Sequence, residues 1–222
     1  MDAPLPSPAE WRDWAGLPSN IMCAILSRLP LADILREAGV GLACKPWRRA
    51  AVEEDLLWRR IDLAAPEDAD RDAPVGWKAM ARAAVDRSAG RCESYRGRAD
   101  ADFLIYLGDS APSLRSLHVT SSLYRGEGDL VTAAIKKLPL LEQLVLSRGI
   151  VKKEWLVALL EHCPRLELLD AGGCVALELI GKRLVERCES RIGKGLRWPQ
   201  RGDGVCPCCA MRAQIYVDEH DE

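Results

Sequence analysis

Several features that would fix a protein's class at once are missing from this 222-residue chain. No run approaches the roughly 18 apolar residues of a membrane-spanning helix. The N-terminus, MDAPLPSPAEW, has no basic region followed by an apolar stretch, so no secretory leader is expected. Charge of one sign is also lacking, and a formal net charge of −2 argues against broad electrostatic capture of nucleic acid or anionic lipid. There is no glycine-rich phosphate loop, no His-x-x-x-His pair, and no Ser or Cys nucleophile close in sequence to a plausible base. The expectation is therefore a non-enzymatic protein without a cofactor. What is present is ordinary: 48% hydrophobic and 29% charged residues, as in a folded globular protein. The length suffices for one large domain or two small ones.

Cysteine is plentiful but unpatterned. The nine residues, at 23, 44, 92, 163, 174, 188, 206, 208 and 209, are odd in number and mostly scattered through apolar stretches, unlike a disulfide framework. They are expected to be reduced thiols in the cytoplasm, the nucleus or both. Cys206, Cys208, Cys209 and His220 offer four soft donors, but their spacing departs from the C-x2–4-C of structural zinc sites. Exposed thiols are expected there, with no bound metal.

Helical periodicity begins after a Pro-rich leader, residues 1–9, expected to be disordered. Ile21, Ile25, Leu26 and Leu29 are expected on one helix face, which Pro30 stops. Leu31, Ile34, Leu35 and Ala38 form a second short face, ended by Gly39 and Gly41. A third helix is expected from Pro46, carrying Trp47, Ala51, Trp58 and Ile61. The Ala-, Asp- and Pro-rich stretch 64–74 reads as a linker between two modules. Beyond it, Trp77, Met80, Ala81 and Ala84 point to a helix closed near Gly90.

The second module repeats. PSLRSLHV (112–119), PLLEQLVL (139–146) and PRLELLDA (164–171) align without gaps in the pattern L-x-x-L-x-L. The apolar positions are Leu114, Leu117 and Val119; Leu141, Leu144 and Leu146; Leu166, Leu169 and Ala171. Pro-to-Pro spacings of 27 and 25 residues match leucine-rich repeats. A short strand turns alternate residues inward. One unit cannot bury its apolar edge alone, so neighbours must stack. Between the strands lie amphipathic stretches: Leu130, Ala134 and Leu138; Trp155, Leu156, Leu159, Leu160 and Cys163; and Leu177, Ile180, Leu184 and Cys188. A degenerate earlier unit is read at Arg91 to Tyr95, with Phe103, Leu104 and Leu107 on its helix. The outward positions Arg115, Ser116, His118, Thr120, Glu142, Gln143, Val145, Ser147, Arg165, Glu167, Leu168 and Asp170 are the candidate substrate-binding face, with His118 solvent-exposed. A basic cluster, Lys182, Arg183, Arg187, Arg191, Lys194, Arg197 and Arg201, reads as a solvated face or as a site for an acidic or phosphorylated segment.

Residues 17–63 resemble the F-box family through Leu17-Pro18, Ile21, Ile25-Leu26, Leu29-Pro30, Asp33-Ile34-Leu35, Cys44-Lys45, Trp47-Arg48 and Leu57-Trp58. With the repeats behind it, and Arg12-Asp13-Trp14 ahead, the chain is similar to plant F-box/leucine-rich-repeat proteins. The resemblance implies an α/β fold with an all-α N-terminal module: a short helical F-box at 10–63, a linker at 64–74, a small solenoid at 75–198, and a disordered, Cys-containing acidic tail at 199–222. It also implies a substrate-recognition adaptor of an SCF-type ubiquitin ligase. Leu17, Pro18, Ile21, Ile25, Leu29, Pro30, Leu31, Leu35, Cys44 and Trp47 would dock on a Skp-type subunit, and through it a cullin, while the repeats recruit a target protein. Several of these, with Leu26 and Trp58, could instead pack the module's own core. Ala43 stands where the family has valine, and together with Gly39 and Gly41 it is a departure that would weaken docking. The alternatives are a repeat scaffold acting outside a ligase, and a zinc or thiol protein acting through Cys206, Cys208 and Cys209.

Overall fold

The computed structural model describes residues 13–35, 44–65, 73–123, 128–176 and 180–199. The expectations for the leader, Ala38, Gly39, Gly41, Ala43, Leu177, most of the 64–74 segment, Arg201 and the tail with Cys206, Cys208, Cys209 and His220 lie outside these residues.

The N-terminal module is assembled from short helices that end where their sequence dictates. Asp13 accepts from the backbone N–H groups of Ala15 and Gly16, both at 3.1 Å, and starts a single 3-10 turn, Trp14–Gly16. Helix α1 (Ser19–Leu26) follows Pro18, and α2 (Leu31–Leu35) begins directly after Pro30. Helix α3 (Lys45–Glu53) carries Pro46 in its first turn, where no N–H is required, and α4 (Asp55–Trp58) is one further turn. Two indoles tie these pieces together. Trp47 Nε1 donates to the Trp14 carbonyl at 2.8 Å, and Trp58 Nε1 donates to the Ala51 carbonyl at 3.0 Å.

Two sequence-based expectations are corrected here. Helix α1 does not turn Ile21, Ile25, Leu26 and Leu29 to one side: Met22 and Leu26 are buried, whereas Ile21 and Leu29 are exposed. Both i, i+4 pairs of this helix are apolar, so periodicity alone could not say which points inward. The helix expected from Pro46 also stops short of Ile61. The chain turns at Glu54, and Ile61 lies on strand β1 (Arg60–Asp62). Ile61 and Leu63 are buried on either side of exposed Asp62, the period-two pattern of a strand.

Strand β1 pairs in parallel with β2 (Ser94–Gly97), bringing Ile61 opposite Tyr95. Glu93 N–H donates to the Arg59 carbonyl at 2.8 Å and Leu63 N–H to the Arg96 carbonyl at 2.7 Å, so the ladder runs past both ends of the strand. The sheet continues through β3 (Ser116–Leu123), β4 (Gln143–Val151), β5 (Leu168–Asp170) and β7 (Leu196–Arg197), while β6 (Cys174–Ala176) pairs with the second half of β4. All pairings are parallel. Helices α5 (Trp77–Arg87), α6 (Ala101–Ser110), α7 (Gly128–Ile135), α8 (Lys153–His162) and α9 (Lys182–Ile192) cover one side. This is a small leucine-rich-repeat-like solenoid with a helical N-terminal module.

Register explains why the leucine spacing matters. Ile61, Tyr95, Leu117, Leu144, Leu169 and Leu196 form one inward row across the sheet. Each of the nine template positions from Leu114 to Ala171 is buried. The degenerate unit supplies Cys92, Tyr95 and Gly97 at the same template positions, and the end of the helical module supplies Trp58, Ile61 and Leu63. On α7 the inward residue is Val131; Leu130, expected inside, is exposed, because the helix begins at Gly128 and its phase is set by Val131, Ala134 and Ile135. Gly173 marks a close approach. A Cβ there would lie 1.9 Å from the Ser147 carbonyl oxygen, so only glycine lets β6 return beside β4.

One hydrophobic cluster runs from Met22 and Leu26 through Trp58, Tyr95 and Phe103 to Cys188 and Ile192. The Arg87 guanidinium of α5 lies 5.0 Å above the Trp58 ring, adding a contact between the helical module and the first repeat. The two modules thus share a core. Trp58→Ala should lower stability by about 3–5 kcal/mol, and unfolding followed by circular dichroism and by tryptophan fluorescence should shift together. Two separated transitions, with only one moved, would contradict the shared core.

Candidate functional site

Two surfaces are candidates: the sheet face away from the helices and the exposed part of the helical module. On the sheet, parallel register places side chains in rungs. One rung runs Arg60, Ser94, Ser116, Gln143 and Leu168. The next runs Asp62, Arg96, His118, Val145, Asp170 and Arg197. Thr120 and Ser147 follow on β3 and β4. Of the expected face, His118, Thr120, Gln143, Val145, Leu168 and Asp170 occupy such open strand positions. Arg115, Glu142 and Glu167 instead immediately precede their strands. Arg165 lies in the turn after α8, which Leu166 N–H closes onto the Cys163 carbonyl. It is not a strand position, because β5 is only three residues long.

Charges on this face are paired across neighbouring strands. Arg96 bonds Asp62 at 2.9 Å, Arg115 bonds Glu142 at 2.5 Å, Arg197 bonds Asp170 at 3.1 Å, and Arg59 bonds Glu93 at 2.6 Å. The Arg59 partner holds the Glu93 carboxyl below its ordinary range. Exposed pairs of this kind add little to stability. Their effect here is to leave a face whose formal charges cancel locally.

At its centre a polar relay spans four strands: Asp62, Arg96, His118 and Ser147. Arg96 Nε donates to His118 Nδ1 at 3.3 Å, and His118 Nε2 lies 2.8 Å from Ser147 Oγ. His118 is half-buried, not freely exposed as expected, because both neighbouring strands hold its ring. Sequence distance also concealed the approach of a hydroxyl to an imidazole across 29 residues. The pair is not set up for nucleophile activation. Since Nδ1 accepts from Arg96, the neutral ring carries its proton on Nε2 and donates it to Ser147, the reverse of what a general base requires.

Burial, then the nearby Arg96 charge, lowers the His118 pKa, opposed by Asp62 and Asp170. A depressed folded-state pKa means the unfolded chain binds the proton more readily, so the stability held by neutral His118 is present above its ordinary value of 6.5 and is lost as pH falls below it. His118→Gln should therefore flatten the decline in thermal midpoint between neutral pH and about pH 5; a decline as steep as that of the unaltered chain would contradict this.

The helical module presents the second surface. Ile21 is 43% and Leu29 37% exposed, and Pro18 and Pro30 are also exposed. Leu17, Ile25, Leu31, Leu35 and Cys44 are half-buried. Trp47 differs: it is buried and bonded to Trp14, so its ring serves the module's own packing. Leu26 and Trp58 do likewise. Trp14, Val52 and Leu56 add exposed apolar area that the motif alone did not single out.

The sequence reading missed Arg60, Asp62, Ser94 and Arg96, the start of the sheet face. Their signal was the spacing Trp58-x-x-Ile61-x-Leu63 and Cys92-x-x-Tyr95-x-Gly97, which fits the repeat once residues other than leucine are admitted. Among the described residues no cluster of His, Cys, Asp and Glu could hold a metal ion, and no helix is long and apolar enough to cross a membrane.

A parallel repeat sheet capped by a helical module with exposed leucine, isoleucine and proline defines a class of repeat protein with a helical N-terminal module. Residues 14–64 match the family described as F-box-like. The chain is 35% identical over 175 residues to F-box/LRR-repeat protein 23 of Arabidopsis thaliana, covering 75% of this chain and 37% of that protein. It is 32% identical over 168 residues to F-box/LRR-repeat protein 9 of the same plant, covering 72% and 65%, and 35% identical over 142 residues to F-box protein SKIP19, covering 62% and 44%. The chain belongs to the plant F-box/leucine-rich-repeat proteins. It spans less than two thirds of the length of the curated relatives it matches.

Proposed function

We propose that this protein is a non-catalytic substrate adaptor of an SCF-type ubiquitin ligase, acting in the cytoplasm, the nucleus or both. The observation that carries the reading is the accessible apolar set Leu17, Pro18, Ile21, Ile25, Leu29 and Pro30 on an F-box-like module whose core is filled by other residues, Met22, Leu26, Ile34 and Trp58. An apolar face left open beside a completed core is a partner site. The Skp-type subunit is the partner that the family implies, with a cullin beyond it.

The sheet face then holds a target protein near the ubiquitin-loaded enzyme. Rate enhancement comes from proximity, which requires no reacting group from this chain. Because the helical module contributes Arg60 and Asp62 to the first strand, target contacts extend across Arg96 and His118 towards Asp170.

Co-expression with a Skp-type subunit tests the docking half. A stable complex is expected on size-exclusion chromatography; failure to form one sinks the ligase reading. Leu17→Ala with Pro18→Ala should weaken the complex by about 1–3 kcal/mol, measured by titration calorimetry, while helicity stays unchanged. Loss of helicity would assign these residues to the core.

A further inference from the structure

Helix α9 has three distinct sides. Leu184, Cys188 and Ile192, spaced i, i+4, i+8, are buried against the solenoid. Arg183, Arg187 and Arg191 repeat the same spacing one position earlier, and Lys194 continues them in the following turn. All four are exposed. Lys182, Glu186 and Glu189 lie on the remaining side. The basic stripe extends about 16 Å at the ordinary helical rise.

The cations at the N-terminal end of this helix are placed against local stability, whereas Arg191 and Lys194 stand at its C-terminal end, where the dipole favours them. Lys182 and Arg183 stand in the first turn, where the helix dipole favours carboxylates, and no acidic residue accompanies them there. Arg183 and Arg187, then Arg187 and Arg191, are like charges one turn apart, which repel. Elsewhere Arg59, Arg96, Arg115 and Lys137 each have a carboxylate partner. Among the described residues Arg183, Arg187 and Lys194 have none. Among the described residues Arg191 bonds the Pro164 carbonyl, at 2.7 Å, and no carboxylate. A helix that breaks several local rules together, while its buried side obeys them, marks a functional surface.

We propose that the basic stripe of α9 docks an acidic segment of a partner protein, at a site separate from both the sheet face and the exposed helical module. Charge complementarity selects the occupant. A nucleic-acid surface would call for a wide basic patch, whereas the whole chain carries a net charge of −2 and Glu186 and Glu189 flank this stripe. A short run of carboxylates fits a row of three guanidiniums and an ammonium, with arginine favoured for bidentate carboxylate contacts. The proposal does not depend on adaptor docking, and its test uses no ligase subunit.

The probe is a fluorescein-labelled oligoglutamate peptide, titrated with full-length protein and followed by anisotropy at about 50 mM and about 300 mM salt. Binding that weakens with salt is expected, together with a loss of about tenfold or more in the variant Arg183→Glu with Arg187→Glu. The control, Lys136→Glu in the turn after α7 with Lys153→Glu at the start of α8, should bind as the unaltered chain does. The α9 variant should also unfold at about the same temperature, because the carboxylates it places at positions 183 and 187 repel one another as the arginines did, while the first gains from the helix dipole and the second gains Arg191 one turn on. Lower stability together with lost binding would mean a structural role and overturn the proposal. So would absence of peptide binding at low salt, an unchanged affinity in the α9 variant, or tighter binding of an oligonucleotide or of phosphatidylserine vesicles than of the peptide. Removing residues 218–222 should leave the affinity unchanged; tighter binding on their removal would make the chain's own acidic residues the occupant and overturn the assignment to a partner.

Discussion

Everything beyond the helical module depends on three residues, Arg60–Asp62, pairing in parallel with Ser94–Gly97. A repeat solenoid has an unavoidable problem at its ends: the first unit has apolar residues on a side with no neighbour. Here the F-box supplies the missing neighbour. Trp58, Ile61 and Leu63 occupy the positions that leucines fill later, and Ile61 lies opposite Tyr95 in the ladder. The same contact solves the complementary problem of the F-box, whose short helices are too few to enclose their own tryptophans. Each half finishes the other's core.

This mutual completion separates what the sequence disclosed from what it concealed. The three leucine-rich strands were legible because nine apolar residues recur at fixed spacing, and the F-box because its proline and tryptophan positions are characteristic. The second strand was legible only as a degenerate unit and the first not at all, since Trp58, Cys92, Tyr95 and Gly97 satisfy the same burial requirement with different side chains. The template is a requirement about volume and direction, and leucine is only its commonest solution. The inward side of α1 was hidden for a different reason. Ile21 and Met22 are both apolar, and only the helices packed around them determine which is enclosed.

The open face of the sheet shows the same limit. Its rungs are set by parallel register, so residues more than twenty positions apart become neighbours, and neither the Asp62–Arg96 pair nor the His118–Ser147 contact has a local signature. Reading outward positions strand by strand placed most of the named residues on or next to a strand but misplaced Arg165. A pattern of alternation cannot tell where a strand of three residues begins. The half-burial of His118 follows from adjacency as well, since its ring is held from both sides by side chains that only the sheet brings near.

The continuous core between the two halves has a geometric consequence. With β1 paired into the sheet as its first strand and Trp58 held between α3 and α5, the described residues offer no pivot between the helical module and the open strands. On the adaptor reading, the protein behaves as a set square, not a tether. Reach and angle are fixed by backbone hydrogen bonds, so a bound target would be offered to the transferring enzyme in essentially one orientation. Which of its lysines lies within range would then be a property of shape, and a target with the right contacts but its lysines on the wrong side would bind without being modified.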